Sequence, residues 1–431
     1  MENSRHDPSE YVRGIQQILI SDKKRIGFLF GAGTSMAKKS DQSLTVPGVI
    51  QMTSDILEEV KSEFSDLGDA LSEMMEELNN SEKTIEHLLS SIEQKSKIIG
   101  SGRLNNLDKN GFERLSKVIK NKVRSKVSVH KVEDAVVGEE IIDDLIQTDF
   151  AEWIGQAERR FPIEIFTFNY DYLFELGLER KRIPYYDGFS GSFRPFFNSE
   201  SVEDHSFLPN QTKVWKIHGS LGWHYDPKSD RIIRTPPDEE DILIYPSILK
   251  YQDSKKQPYE SLMDRLSNFL KQDDSILFTS GYSWGDEHIN DRIISALKTN
   301  TTSHVIALYH DKTRGEDGVF NYSLTPESGM GKIGIENMKI SVYGYRSAII
   351  GCRYGEWTLG SEPDKDDTPQ INQYFDEDAP TMSVGEGEKI GKEIWSGKGE
   401  FFLPDFSKLV SFLKSLINEN EIGTLGRNAR K

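Results

Sequence analysis

Ile26-Gly27-Phe28-Leu29-Phe30-Gly31-Ala32-Gly33-Thr34-Ser35 runs from an apolar segment straight into two glycines and two small hydroxyl residues. That is how a buried strand ends in a tight turn. Gly31 and Gly33 remove side chains that would hold a dinucleotide away, and a helix N-terminus just beyond would aim N–H groups at its phosphates. The usual dinucleotide fingerprint has a third glycine where this chain has Met36, so the turn alone is equally a plain glycine turn of an α/β protein. The rest of the chain must decide between the two.

Upstream, Asp7-Pro8-Ser9-Glu10 reads as a helix start, with Asp7 as cap, Pro8 in the first turn and Glu10 able to reach back. Tyr11, Ile15, Ile18 and Leu19 then share a helical face. Downstream, Met36 to Thr45 is polar and loop-like. Residues 49 to about 160 read as mostly helical, with Ile85, Leu88, Leu89 and Ile92 on one face. From Gln51 to Gly100 there are 12 acidic and 4 basic residues; from Arg103 to Lys131 there are nine Lys or Arg against Asp108 and Glu113. The basic run is either a solvated helix face or a contact surface for DNA or an acidic partner.

Apolar, strand-like runs return at Ile163–Thr167, Val214–Ile217, Ser275–Thr279 and His304–Tyr309, with another at Lys339–Tyr345 and a weaker one at Gly351–Trp357. Strands separated by helical stretches predict an α/β fold with a Rossmann-like, mostly parallel sheet. The expected division is 1–48 and 161–315 for the two parts of that domain, 49–160 for a helical insertion and 316–431 for a C-terminal extension. Between Glu356 and Lys389 stand ten acidic and two basic residues, which predicts an exposed loop. Phe406, Leu409, Val410, Phe412, Leu413 and Leu416 suit a closing amphipathic helix, and Arg427 to Lys431 a tail.

Composition narrows the classes. At 431 residues the chain allows two or three domains, and 36% hydrophobic with 29% charged residues describes a soluble globular protein. A net charge of −17 argues against wholesale coating of nucleic acid, though not against a local basic patch. One cysteine, Cys352, leaves no internal disulfide and no multi-cysteine zinc site. No run approaches the roughly 18 apolar residues of a membrane span, and the N-terminus has no apolar signal core, so a cytoplasmic location without membrane association is expected.

In an open α/β sheet, ligands lie beyond the carboxyl ends of strands. Three further strand ends carry suitable chemistry. Thr167-Phe168-Asn169-Tyr170-Asp171 offers an amide that can hold water or a ribose hydroxyl, and a carboxylate; Asn169 or Asp171 can equally cap the helix that follows. Ile217-His218-Gly219 offers an imidazole that can take a proton, though a histidine in a turn is often structural, and His224 is a weaker candidate. Ser280-Gly281-Tyr282-Ser283 offers close backbone approach at Gly281, hydroxyls at Ser280 and Ser283, and a tyrosine suited to stacking or to the core. Asp286, Glu287 and His288 are adjacent and lack metal-ligand spacing.

In this order, Gly31-Ala32-Gly33-Thr34-Ser35, Thr167-Phe168-Asn169-Tyr170-Asp171, Ile217-His218-Gly219 and Ser280-Gly281-Tyr282-Ser283 resemble the NAD-binding core of the sirtuin family. They are most similar to its prokaryotic sirtuin-like branch, which carries an Asn-Tyr-Asp version of the second motif. The resemblance implies NAD as substrate, Asn169 and His218 as catalytic residues, and Gly31, Ala32, Gly33, Thr34, Ser35, Asp171, Gly281, Tyr282 and Ser283 as the groups that hold it. The chain departs from the family's deacylases in two ways. It has one cysteine where they carry a four-cysteine zinc module, and no Gly-Ile-Pro-Asp-Phe-Arg follows the first motif. Those departures resemble the sirtuin-like antiphage effectors, which hydrolyse NAD to nicotinamide and ADP-ribose and so deplete it. That likeness implies a regulated homo-oligomer, with no zinc, and a partner such as a HerA-type DNA-translocating ATPase. An NAD-dependent deacylase, an ADP-ribosyltransferase, or a non-catalytic NAD-sensing or nucleic-acid-binding module are the alternatives.

Overall fold

Successive side chains of a strand point to opposite faces, and the opening strand uses both. Phe28 and Phe30 join one buried cluster and Leu29 another. A strand covered on both sides has no room for polar alternation, which is why residues 26–30 are uniformly apolar. The computed structural model describes residues 4–79, 83–132, 135–157, 159–235, 242–244, 258–364, 368–382 and 393–428.

The main sheet has ten strands: β1 (Ser4–His6), β2 (Arg25–Phe30), β3 (Glu164–Thr167), β4 (Tyr185–Tyr186), β5 (Thr212–Lys216), β6 (Ser275–Ser280), β7 (His304–Leu308), β8 (Ile340–Tyr343), β9 (Ser347–Ile350) and β10 (Arg353–Trp357). Their spatial order is β1-β10-β9-β8-β7-β6-β2-β3-β5-β4. All neighbouring pairs are parallel except β8–β9 and β9–β10. The fold is thus a mostly parallel, Rossmann-like α/β sheet, as predicted, and it continues through the strands beyond residue 315. The chain moves from β2 outward through β3 to β5, then returns to place β6 on the other side of β2. The order reverses there, so a switch point lies between β2 and β6.

Helices cover both faces. Helix α1 (Pro8–Ile20) starts at Asp7, whose carboxylate accepts from the Ser9 N–H at 2.9 Å. Its residues Val12, Ile15 and Leu19 pack with Phe28 and Phe30. The turn after β2 closes into a single-turn helix, α2 (Gly33–Met36). On the Leu29 face lie helices at Tyr259–Lys271 and Glu287–Thr299.

The described residues of 49–160 are mostly helical and feed two cores. Helices α3 (Val49–Glu63), α4 (Ser65–Glu77), α5 (Ile85–Ile98) and α6 (Lys109–Val127) share a core of their own, which also takes in Tyr170, Leu173 and Leu221 from the strand ends. Helix α7 (Ile146–Gln156) instead packs Phe150 and Trp153 against Phe28 in the main core. The insertion is therefore seated on the carboxyl edge of the sheet.

The C-terminal helix forms over Phe406–Asn428, and all six of its expected apolar residues are buried. The helix includes Arg427 and Asn428, where a tail was expected; residues 429–431 lie outside the described part. The acidic stretch from Glu356 also needs correction. Trp357, Leu359, Ile371, Tyr374 and Phe375 are all buried in the main core. Its net charge concealed a sparse set of large apolar residues, enough to anchor the chain. Residues 365–367 and 383–392 of that stretch are outside the described part.

Candidate active site at the strand ends

Sheet register brings the four motifs into one row. Ser280 pairs with Phe30, Phe30 with Thr167, and Thr167 with Lys216. Each motif begins within two residues of this row, so four loops emerge side by side from β6, β2, β3 and β5. The Tyr186-side strand β4 adds no residue to them.

At the switch point the glycines have a steric duty of their own. A Cβ on Gly31 would sit 2.4 Å from the Gly281 carbonyl oxygen, and one on Gly33 would sit 2.7 Å from the Gly281 Cα. Gly281 has φ +63°, and its Cβ would fall 2.5 Å from the Thr34 nitrogen. The two loops are laced together: Gly31 N–H donates to the Ser280 carbonyl and Gly33 N–H to the Gly281 carbonyl, each at 3.1 Å. These glycines thus let two backbones meet, which the sequence alone did not reveal.

Asn169 is buried at the centre of the row. Its Nδ2 lies within hydrogen-bond distance of the Gly31 carbonyl (3.2 Å), Thr34 Oγ1 (3.1 Å) and Ser35 Oγ (2.8 Å). Thr34 Oγ1 in turn donates to the Gly31 carbonyl, and Ser35 Oγ to Asp171 Oδ2. The other Asp171 oxygen accepts from the N–H of Leu173, the first residue of helix α8 (Leu173–Arg180), whose N-cap position is Tyr172. Asp171 thus ties the start of α8 to the glycine turn. Its backbone carbonyl also accepts from the buried Lys216 ammonium, which pairs with Glu175 at 3.0 Å. Burial raises the Glu175 carboxyl above its ordinary range, and Lys216 only partly offsets this.

His218 stands at the end of β5, its side chain 12% exposed. The Phe168 ring packs 4.6 Å from it and 4.9 Å from Tyr282, so three rings from three strand ends form a wall. Tyr282 donates to Asn290 Oδ1 at 2.9 Å, and burial pushes its phenol well above the ordinary value, so it serves here as a neutral donor and wall. Ser280 is fully buried, whereas Ser283 is exposed and its Oγ accepts from the Gly285 N–H. Trp284 has φ +58°, a left-handed conformation that costs roughly 1 kcal/mol or more outside glycine. Asn290 Nδ2 on the Trp284 carbonyl and the Trp284 indole N–H on Thr279 hold it there.

Two carboxylates near His218 were not foreseen as site groups. Asp286 Oδ2 lies 3.5 Å from His218 Nε2, while its Oδ1 caps helix α9 (Glu287–Thr299) through the His288 and Ile289 N–H groups. Burial would raise the Asp286 carboxyl, but His218 and the Ile289 N–H outweigh it and hold it below the ordinary value. Asp286 is therefore an anion at neutral pH. Glu86, from α5 of the insertion, lies 3.9 Å from His218 Nδ1. The position of Asp286 just past a glycine-hydroxyl loop could have drawn attention to it; nothing local marks Glu86. His224 is an exposed residue of a short strand, Trp223–Asp226, that belongs to a separate four-stranded sheet.

A cleft of about 500 Å³ lies elsewhere, between α5 and α6, lined by Glu93, Lys97, Lys117, Lys120 and Arg124 among others. It holds none of the strand-end loops, so chemistry rather than volume locates the candidate site. Among the described residues no cluster of three His, Cys, Asp or Glu side chains is arranged to hold a metal ion, and no helix is long and apolar enough to cross a membrane.

Residues 163–324 match the family model described as SIR2-like domain. The match covers less than half of the chain. It takes in the motifs after β3, β5 and β6 and begins downstream of the Gly31–Ser35 turn, which the sheet nevertheless places among them. No curated protein matches the chain. A SIR2-like domain supports a sirtuin-like family and NAD-dependent chemistry in general.

Proposed function

We propose that the protein is an NAD hydrolase that releases nicotinamide and ADP-ribose. The observation that carries this reading is the single row from which Asn169 and His218 emerge beside the glycine contact at the switch point, inside and next to a SIR2-like segment. The loops that meet at Gly31, Gly33 and Gly281, with Ala32, Thr34, Ser35, Tyr282 and Ser283 around the contact and Asp171 bracing the turn, are the groups we assign to holding NAD.

In the reaction the bond between ribose C1′ and the nicotinamide nitrogen breaks. Its electron pair goes to the ring, which leaves neutral and needs no general acid. Positive charge spreads over C1′ and the ring oxygen of ribose, and water adds at C1′ and loses a proton. Asn169, held by three partners, orients ribose or water, and His218 accepts the proton. Asp171, with Asp286 beside His218, favours the developing cation.

A hydrolase of this kind depletes its own cell of NAD, which suits an antiphage effector kept in check by assembly as a homo-oligomer or with a partner, such as a HerA-type ATPase. The basic segment Arg103–Lys131 is the surface we assign to DNA or to that partner. Support for hydrolysis over deacylation comes from the lone Cys352, since a four-cysteine module cannot be built from it. The test is the product profile of purified protein with NAD, with and without co-purified partner. Nicotinamide and ADP-ribose released without acyl-peptide are expected; strict dependence on acyl-lysine peptide would replace this reading with deacylation, and NAD binding without cleavage in either condition would overturn it.

A further inference from the structure

The histidine of the row is approached from outside the sheet. Glu86 occupies the first turn of α5, and its Oε1 lies 3.9 Å from His218 Nδ1. The same oxygen accepts from the Tyr170 hydroxyl at 2.7 Å, and Tyr170 directly follows Asn169. The backbone that carries Glu86 is fixed next door: the Ile85 N–H donates to Thr53 Oγ1 of α3 at 2.9 Å, and Thr84 caps the helix. Tyr170 is itself part of the insertion's core. The opposite ring nitrogen, Nε2, faces Asp286 at 3.5 Å.

We infer that Glu86, supplied by the helical insertion, is a positioning residue for His218, so that the seating of the insertion on the strand ends sets the competence of the site. The inference rests on the NAD-hydrolase reading. A neutral imidazole carries one ring proton. Asp286, the closer carboxylate, draws it to the buried Nε2 and leaves Nδ1, on the Glu86 side, to accept the second. When Nδ1 takes the proton from water, the ring becomes an imidazolium, and Glu86 stabilises that cation without changing its own charge. At 3.9 Å the contact is electrostatic, and a displacement of α5 by about 4 Å would roughly halve it.

The experiment uses full-length protein with histidine ring nitrogens labelled, the His218 resonances assigned by their loss in His218→Gln. Glu86→Gln is expected to shift those resonances away from the imidazolium, and Asp286→Asn to move the neutral ring toward the Nδ1–H tautomer. In nicotinamide release, Glu86→Gln should lower kcat about tenfold or more with KM changed less than about threefold. Glu86→Asp should recover part of the loss, and Tyr170→Phe, which frees Glu86 without altering its charge, should give a smaller shift of the same sign. Unchanged His218 resonances in Glu86→Gln would overturn the inference, and so would wild-type kcat. Failure of wild-type protein to release nicotinamide would instead overturn the hydrolase reading, leaving the ring-nitrogen measurement to decide the role of Glu86.

Discussion

The Ser35 hydroxyl donates to the Asp171 carboxylate at 2.7 Å, joining the turn after β2 to the loop after β3 across 136 residues of chain. Asn169 Nδ2 rests on the same hydroxyl. The glycine turn and the asparagine Nδ2 are thus joined in one buried polar unit. Ser35→Ala should cost about 1 kcal/mol, and Asp171→Ala about 2–3 kcal/mol because its bond to the Leu173 N–H is lost as well. Denaturant midpoints would measure both. Equal losses would mean that the bond to Leu173 contributes nothing.

Removal of the groups assigned to chemistry should separate rate from stability. His218→Ala and Asn169→Ala are each expected to reduce nicotinamide release by about a hundredfold or more. Asn169→Ala should also lower the melting temperature, since the two Nδ2 protons shared among Gly31, Thr34 and Ser35 are lost. If both variants are folded and retain wild-type release, the assignment of this row as the active site fails.

Gly281→Ala tests the switch-point contact. The new Cβ meets the Thr34 backbone nitrogen at 2.5 Å and sits on a residue with φ +63°. A backbone atom cannot swing aside as a flexible side chain does, so a loss of about 2 kcal/mol or more is expected, with weakened NAD binding. Thermal melting and isothermal titration with NAD would read the two effects. A neutral outcome would show that the two loops do not need this contact.

Two partly buried imidazoles should make folding sensitive to mild acid. Burial, then Arg265, pushes His205 down to about 4, and burial with Lys339 pushes His304 down to about 4. Both lie below the unfolded value of about 6.5. The unfolded chain therefore binds protons first as pH falls. The stability held above pH 6.5 declines as pH drops toward 4, by about 2 kcal/mol for His304 after allowance for solvent. Urea midpoints at pH 7, 5.5 and 4.5 should fall in that order. A His205→Gln, His304→Gln double variant should flatten the decline, and an unaltered slope would reject these two groups as its source.

The basic helix gives a charge test with a built-in control. Lys120 pairs with Glu93, Lys122 with Glu59 and Glu63, and Lys126 with Asp55 and Glu59. Reversing those lysines should lower stability, because it breaks contacts within the insertion. Arg103, Lys109 and Lys117 are exposed. Reversing them to Glu should leave the melting temperature within a degree or so, yet weaken retention on duplex DNA or an acidic partner and reduce the salt slope by roughly 0.9 per lost phosphate contact. Unchanged retention would return the segment to a solvated face.

Much of this architecture is legible in the chain because its signals are local. An apolar run that stops at glycine or a polar residue marks a strand end wherever it occurs, so β2, β3, β5 and β6 could be read one by one. Asp7 before Pro8 and the apolar spacing after Phe406 identify their helices for the same reason. The acidic stretch after Glu356 was misread because charge is counted along the chain, while Trp357 and Phe375 act through where they land.

Tertiary structure alone decided what these pieces do together. The sequence specified four strand ends with an amide, an imidazole, a carboxylate and paired glycines. Only the pairing of Ser280 with Phe30, Phe30 with Thr167 and Thr167 with Lys216 aligned them in one row. Only the seating of the insertion brought Glu86 to His218. Register and docking depend on hydrogen bonds and buried surface between segments far apart in the chain, and no spacing within one segment encodes them.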